Sequence, residues 1–357
     1  MPEHRILSID GGGIAVLMSL LLLRRIEKAR PGFLAAADLL AGTSAGGFSA
    51  IIIASEPDPV VGLESAIDFW LETPILSPRA RHLIGGLLGV RSMYSHAELR
   101  AALIRALGNK RLGELPRKVM VAAVQLDGGQ GTPGGRRWQP RALSNEPADR
   151  AKNEFLDTPA VDIALRSGAA PIVWPIYQGY VDGGLFANDP SMLVLSRVLR
   201  ARLEASRRGR HARRFLEDIA LFSVGEGQSP HYLPVKNAAW GWSQWLLRPH
   251  LPGALLELAM ESAGEEISEQ CRLLLGEDQY FRLNPNTTIP VGRTGLSHGS
   301  RMHQWERQVA AELSNPLADA QGKAVVEGDT YHLGKALNWI DRSSWLPSSS
   351  GVATGTA

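Results

Sequence analysis

Two glycine-rich turns, each set between an apolar strand and an apolar helix, constrain this chain more than any other feature. The first is Asp10-Gly11-Gly12-Gly13, between the apolar run Arg5 to Ile9 and the helical stretch Val16 to Ala29. The second is Gly42-Thr43-Ser44-Ala45-Gly46, between Ala35 to Ala41 and an apolar helix, Phe48 to Ala54, that Pro57 and Pro59 stop. Short buried strands that feed helices through tight turns belong to layered α/β sheets.

The alternation continues to about residue 225. Helices are expected at Leu63 to Leu71, Ser95 to Leu107, from Ala160 to Arg166 and at Pro190 to Glu204. Strands are expected at Lys118 to Leu126, Tyr180-Val181 and Asp218 to Val224. Ser77 to Ser92 reads as a connector, and Gly128 to Arg150, rich in Gly, Pro and Arg, as a long surface loop. Beyond residue 230 the strand signals thin out. The expected division is an α/β domain over 1–230, a mainly helical region over 231–342 and a flexible Ser/Gly-rich tail over 343–357.

The glycines after the first strand let backbone N–H groups face a ligand at a helix N-terminus, where negative charge is favoured. A P-loop is excluded because no Gly-Lys-Ser/Thr follows, and the dinucleotide fingerprint fails at Val16. An oxyanion hole remains, beside the plainer reading of a tight turn with no ligand. Ser44 sits in a G-x-S-x-G elbow, whose small flanking residues let a strained turn push the serine out above a sheet. A second match, Gly295-Leu296-Ser297-His298-Gly299, follows a poor strand and reads as a loop.

A serine nucleophile needs a proton acceptor. None of the nine histidines has a suggestive setting; His96, His211, His298, His303 and His332 read as surface or packing residues. Asp182 differs. It ends a strand, and Gly183-Gly184 leave its carboxylate room; a turn-former or helix cap is the competing reading.

Four motifs occur in order: Asp10-Gly11-Gly12-Gly13, Gly42-Thr43-Ser44-Ala45-Gly46-Gly47, Ser167-Gly168-Ala169-Ala170-Pro171, and Asp182-Gly183-Gly184 followed by Asn188 and Pro190. In this the chain resembles the patatin-like phospholipases, over about Arg5 to Val224. The resemblance implies a three-layer α/β/α sandwich with a mainly parallel sheet. It implies a lipid acyl hydrolase with a Ser-Asp dyad, Ser44 as nucleophile and Asp182 as base. The amides of Gly11, Gly12 and Gly13 would be the oxyanion hole; independently of the resemblance, the helix after Ser44 aims its first N–H groups, that of Ala45 included, at the same point. The mechanism expected of such a pair passes through an acyl-enzyme intermediate, and because a carboxylate is a weaker base than imidazole, a partly buried site should raise the Asp182 pKa. One departure stands out: the family's glycine run continues x-Arg/Lys-Gly, and here it continues Ile14-Ala15-Val16. Ala15 in place of the cation leaves room for a neutral-lipid or small-ester esterase or acyltransferase as the alternative, or for a catalytically silent lipid-binding module; the backbone donors do not depend on that side chain, so catalysis is still expected.

The remaining features concern partners. A net charge of +2 does not call for nucleic acid. No apolar run reaches the roughly 18 residues of a spanning helix, and the N-terminus carries no secretory leader. One cysteine, Cys271, fits a reducing compartment, so a cytoplasmic protein is expected, peripheral to the inner face of the membrane. Trp240, Trp242 and Trp245, with the eight arginines of Arg197 to Arg214, are the candidates for that contact, against a plainer role in packing and solvation. No cofactor or metal is implied.

Overall fold

The structure, a computed structural model, describes residues 4–72, 92–129, 136–146, 153–206, 216–227, 254–285 and 328–346, with short pieces at 240–241, 245, 307, 317–318 and 324–326. Its strands are β1 (His4–Ile9), β2 (Leu39–Thr43), β3 (Val119–Gln125), β4 (Gln139–Ser144), β5 (Tyr180–Asp182), β6 (Ile219–Val224) and β7 (Tyr280–Leu283). They form one seven-stranded sheet in the order β4-β3-β2-β1-β6-β7, with β5 paired to β3. The pairs β1–β2, β1–β6, β2–β3 and β6–β7 are parallel, while β4 and β5 run antiparallel to β3.

Side chains alternate across this sheet and build two cores. Leu7, Ile9, Leu40, Val119, Val121 and Phe222 face one side; Ile6, Leu39, Ala41, Met120, Ile219 and Leu221 face the other. The first face is covered by α1 (Val16–Ala29), α2 (Phe33–Ala36), α3 (Ser44–Ala54), α4 (Pro59–Glu72), α5 (His96–Leu107), α6 (Ala160–Ser167) and α10 (Gly328–Arg342). The short α7 (Gly184–Ala187) follows β5. The second face is covered by α8 (Ser191–Ser206) and α9 (Ala254–Leu275), through Val194, Leu195, Val198, Cys271 and Leu275. The result is the expected three-layer α/β/α sandwich with a mostly parallel sheet. Each fully buried Leu, Ile or Phe contributes about 1.5–3 kcal/mol relative to exposure.

Three sequence expectations are corrected. Gly128 to Arg150 is not all loop, because β4 lies inside it as the strand at the sheet's edge. Its polar look and Pro140 suit an edge, where a missing N–H costs no ladder bond. Beyond residue 230, β7 adds a parallel strand beside β6, and a small antiparallel pair joins 317–318 to 324–326. Arg282 in the middle of Tyr280–Leu283 disguises β7 as non-strand. The stretch expected as a flexible tail begins anchored: Trp345 is fully buried, stacks on Phe33 with ring centroids 5.2 Å apart and donates its indole N–H to the Phe33 carbonyl. Residues 347–357 lie outside the described residues.

Candidate active site

Strand register brings the motifs together. Ile9 is paired with Gly42, so the turns that follow β1 and β2 emerge side by side at the C-terminal ends of two parallel strands. β4 pairs with Met120 to Gln125 of β3. Along β3's other edge, β2 pairs with Val119 to Ala122 and β5 with Ala123 to Gln125. Running in opposite directions, β2 and β5 end against each other, which sets Asp182 beside Ser44.

Ser44 adopts φ +53°, a left-handed conformation that costs a non-glycine residue of order 1–3 kcal/mol. The flanking glycines make that turn fit. A side chain on Gly42 would begin 2.4 Å from the Gly46 carbonyl oxygen, and one on Gly46 would begin 2.3 Å from that of Asp10. Ser167 holds the elbow from behind: its Oγ accepts the Ser44 N–H at 3.0 Å and donates to the Ala122 carbonyl at 2.8 Å. The same motif guides the base strand, since Asp182 N–H donates to Ala169 O and Gly183 N–H to Ser167 O.

The Ser44 hydroxyl donates to Asp182 Oδ2 at 2.6 Å, and Asp182 Oδ1 accepts the Gly184 N–H at 2.7 Å. Burial pushes the Asp182 carboxyl up to about 6, against the opposing pull of those two hydrogen bonds. The result is a carboxylate basic enough to accept a proton yet ionised at neutral pH. Ser44 is half-buried, whereas Asp182 is closed off behind it. Such a pair can carry out nucleophilic attack with general-base assistance.

The four N–H groups considered as oxyanion donors are not equivalent. Gly11 N–H donates to the Asn188 carbonyl at 3.0 Å, so it is already engaged and is corrected out of the set. Among the described residues no such backbone bond engages the N–H of Gly12, Gly13 or Ala45. Ala45 opens α3, whose dipole favours negative charge at this end. The Glu226 carboxylate fills the space where a Gly12 side chain would start.

Residues 7–195 match the family model described as patatin-like phospholipase. The chain belongs to the patatin-like phospholipase family. Among its patatin-like relatives, the protein teg of Priestia megaterium is 28% identical over 310 residues, covering 80% of this chain and 88% of teg. The putative sporulation hydrolase CotR of Bacillus subtilis is also 28% identical, over 80% of this chain and 88% of CotR. The cGAMP-activated phospholipase of Pseudomonas aeruginosa is 24% identical over 91% of this chain and 95% of its own length.

This patatin-like chain also carries site residues that sequence reasoning missed or left without a role. Asn188 sits inside the site: its Oδ1 is buried without a hydrogen-bond partner, 2.6 Å from where a Gly11 side chain would start, a point 3.2 Å from Ser44 Cβ. Met260 of α9 reaches to 2.8 Å from the corresponding point on Gly184. Arg282 binds Asp10 and Asp189 behind the glycine run. Only Asn188 had a sequence signal, as part of the fourth motif.

The other candidates stand apart. His96 packs against Trp174 and Tyr177, and burial depresses its pKa to about 4. His211, Ser297, His298, His303, Trp242 and the side chain of His332 lie outside the described residues. Trp240 and Trp245 are half-buried and meet edge to face at 5.1 Å. Of the Arg197 to Arg214 stretch, the part up to residue 206 is described and is helical, with an exposed Arg200–Glu204 ion pair. No described helix is long and apolar enough to cross a membrane. Ala15, where the family carries a cation, is buried in a 3-10 turn, Gly13–Ala15.

Proposed function

We propose that this protein is a serine lipid acyl hydrolase that cleaves carboxylic esters of lipids through a Ser44–Asp182 dyad. The observation that carries the reading is the 2.6 Å hydrogen bond from Ser44 Oγ to a buried, pKa-raised Asp182. Family membership supports lipid hydrolysis, and the name of the Pseudomonas relative points the same way.

The reaction runs in two halves. Asp182 takes the Ser44 proton as Oγ attacks the ester carbonyl carbon. Negative charge collects on the former carbonyl oxygen, where the Gly12, Gly13 and Ala45 amides serve as donors. The C–O bond to the alcohol then breaks, and the Asp182 proton goes to the departing alkoxide. Water next attacks the acyl-enzyme with Asp182 again as base, releasing the fatty acid and restoring Ser44–OH. No cofactor enters these steps.

Ala15 favours a second substrate range on the same dyad. Without the family's cation, a neutral lipid or small ester is accommodated as readily as an anionic phospholipid, and an alcohol can replace water as acceptor. Contact with a bilayer through the Trp240 and Trp245 region and the basic start of the Arg197 to Arg214 stretch belongs to this proposal. So does an α/β catalytic unit followed by a C-terminal region that shapes access.

The test is fatty-acid release from mixed phospholipid and neutral-lipid vesicles by wild type, Ser44→Ala and Asp182→Asn. Release by wild type alone supports the dyad, and the preferred lipid reports the effect of Ala15. No release by folded wild type from any lipid or short ester favours the silent module.

A further inference from the structure

A cation does stand behind the glycine run, and it comes from a part of the chain outside the family match. Arg282 lies on β7, in register with Ser223 of β6. Its side chain is largely shielded, 13% exposed, and both terminal guanidinium nitrogens are engaged. One nitrogen donates to Asp10 Oδ2 at 2.6 Å. The other donates to Asp10 Oδ1 at 3.2 Å, Asp189 Oδ2 at 2.9 Å and Ser223 Oγ at 2.8 Å.

The two carboxylates flank the backbone bond that fixes the oxyanion loop. Asp10 directly precedes Gly11, and Asp189 directly follows Asn188; Gly11 N–H donates to Asn188 O at 3.0 Å. Arg282 therefore closes a ring made of Asp10, Gly11, Asn188 and Asp189. Asp10 N–H is further tied to the Val224 carbonyl, and Asp189 Oδ1 caps the Ser191 N–H at the start of α8. With three anchors the ring leaves the glycine run little freedom, and glycines supply no stiffness of their own.

We infer that Arg282 is a positioning residue for the oxyanion donors: its forked bond to Asp10 and Asp189 holds the Gly11–Gly13 loop against the loop that follows the base. The inference rests on the proposed hydrolase reading for its kinetic consequence. Arg282 touches no substrate; it acts through Asp10 and the Gly11–Asn188 bond. A bidentate fork is required, which a lysine point charge does not supply. The catalytic unit therefore needs the chain at least as far as β7.

The experiment compares full-length wild type with Arg282→Lys, and with Arg282→Met combined with Asp189→Asn, which removes cation and anion together in case the lysine variant does not fold. Two readouts are taken: backbone hydrogen exchange over residues 10–16 with α5 as internal reference, and kcat and KM on a short-chain p-nitrophenyl ester with Ser44→Ala as blank. Exchange over 10–16 is expected to rise about tenfold or more with α5 unchanged. A roughly 10²-fold fall in kcat at nearly constant KM is expected from donors displaced by a fraction of an ångström to an ångström. Wild-type exchange over 10–16 in a folded variant overturns the clamp, and so does exchange that rises equally in α5 with kcat per folded molecule intact. Hydrolysis that persists in Ser44→Ala overturns the site reading instead, and the exchange result then judges the clamp by itself.

Discussion

Ser44 Oγ and Asp182 Oδ2 lie 138 residues apart in sequence and 2.6 Å apart in the fold. That proximity is a product of one strand edge. β2 and β5 pair with consecutive stretches of β3, Val119 to Ala122 and Ala123 to Gln125, and end against each other. Hydroxyl and carboxylate thus meet on backbone hydrogen bonds rather than on a mobile loop, which is how a site keeps a short donor–acceptor distance before substrate arrives.

The pH profile follows from Asp182. As the base it works only when ionised, and its pKa is raised to about 6 by burial. The value of kcat/KM should stay level above that pH and fall about tenfold per unit below it. A pH–rate profile on a non-ionising ester checks this; a midpoint near 4 would mean that the base is a solvated carboxylate.

Asp182→Asn should abolish turnover and stabilise the protein. The folded state binds the Asp182 proton more tightly than the unfolded chain does. Stability contributed by this group is therefore full below 3.8 and is lost as pH rises through about 6. Near pH 8 the neutral asparagine escapes that cost, a gain of up to about 3 kcal/mol. Urea denaturation of both proteins at pH 8 measures it. A variant less stable than wild type there would show that the ionised carboxylate is better satisfied than its burial indicates.

Ser167→Ala should weaken both fold and rate. Its fully buried hydroxyl joins the Ser44 N–H to the Ala122 carbonyl. Losing it strands two buried backbone groups, at about 1–3 kcal/mol. A loosened elbow is expected to lower kcat roughly 10- to 100-fold. Denaturation midpoints and steady-state kinetics on the same samples separate the two effects; unchanged kcat would mean that the positive φ of Ser44 is maintained without this support.

Gly46→Ala should separate the elbow from the oxyanion loop. The new methyl would start 2.3 Å from the Asp10 carbonyl oxygen and 2.5 Å from that of Ile9, both backbone atoms with little room to yield. Overpacking of this kind costs about 1–3 kcal/mol. The expected result is a folded protein of lower melting temperature with kcat depressed far more than KM is raised. Wild-type kinetics would show that the two loops tolerate more separation than their close contact implies.

What the sequence made legible was local. Asp10 to Gly13, Gly42 to Gly47 and Asp182 to Gly184 each carry their turn chemistry in adjacent residues, so strand, turn and helix could be read directly, and Val16–Ala29 was bounded as it is observed. What stayed hidden was decided by partners distant in sequence. β4 resembles a loop because an edge strand with one wet side needs little apolar character. β7 and Trp345 make sense only once β6 and Phe33 are beside them. The engagement of Gly11 N–H by Asn188 and the Arg282 fork join segments that no short motif spans.

The most direct test of the dyad is a search for the acyl-enzyme. Wild type is mixed with excess p-nitrophenyl ester, quenched in acid within the first turnovers and digested for peptide mass analysis. The account predicts an acyl increment on the peptide that contains Ser44, absent from Ser44→Ala and from Asp182→Asn. Turnover with no covalent adduct on Ser44, or an adduct on another residue, would contradict it.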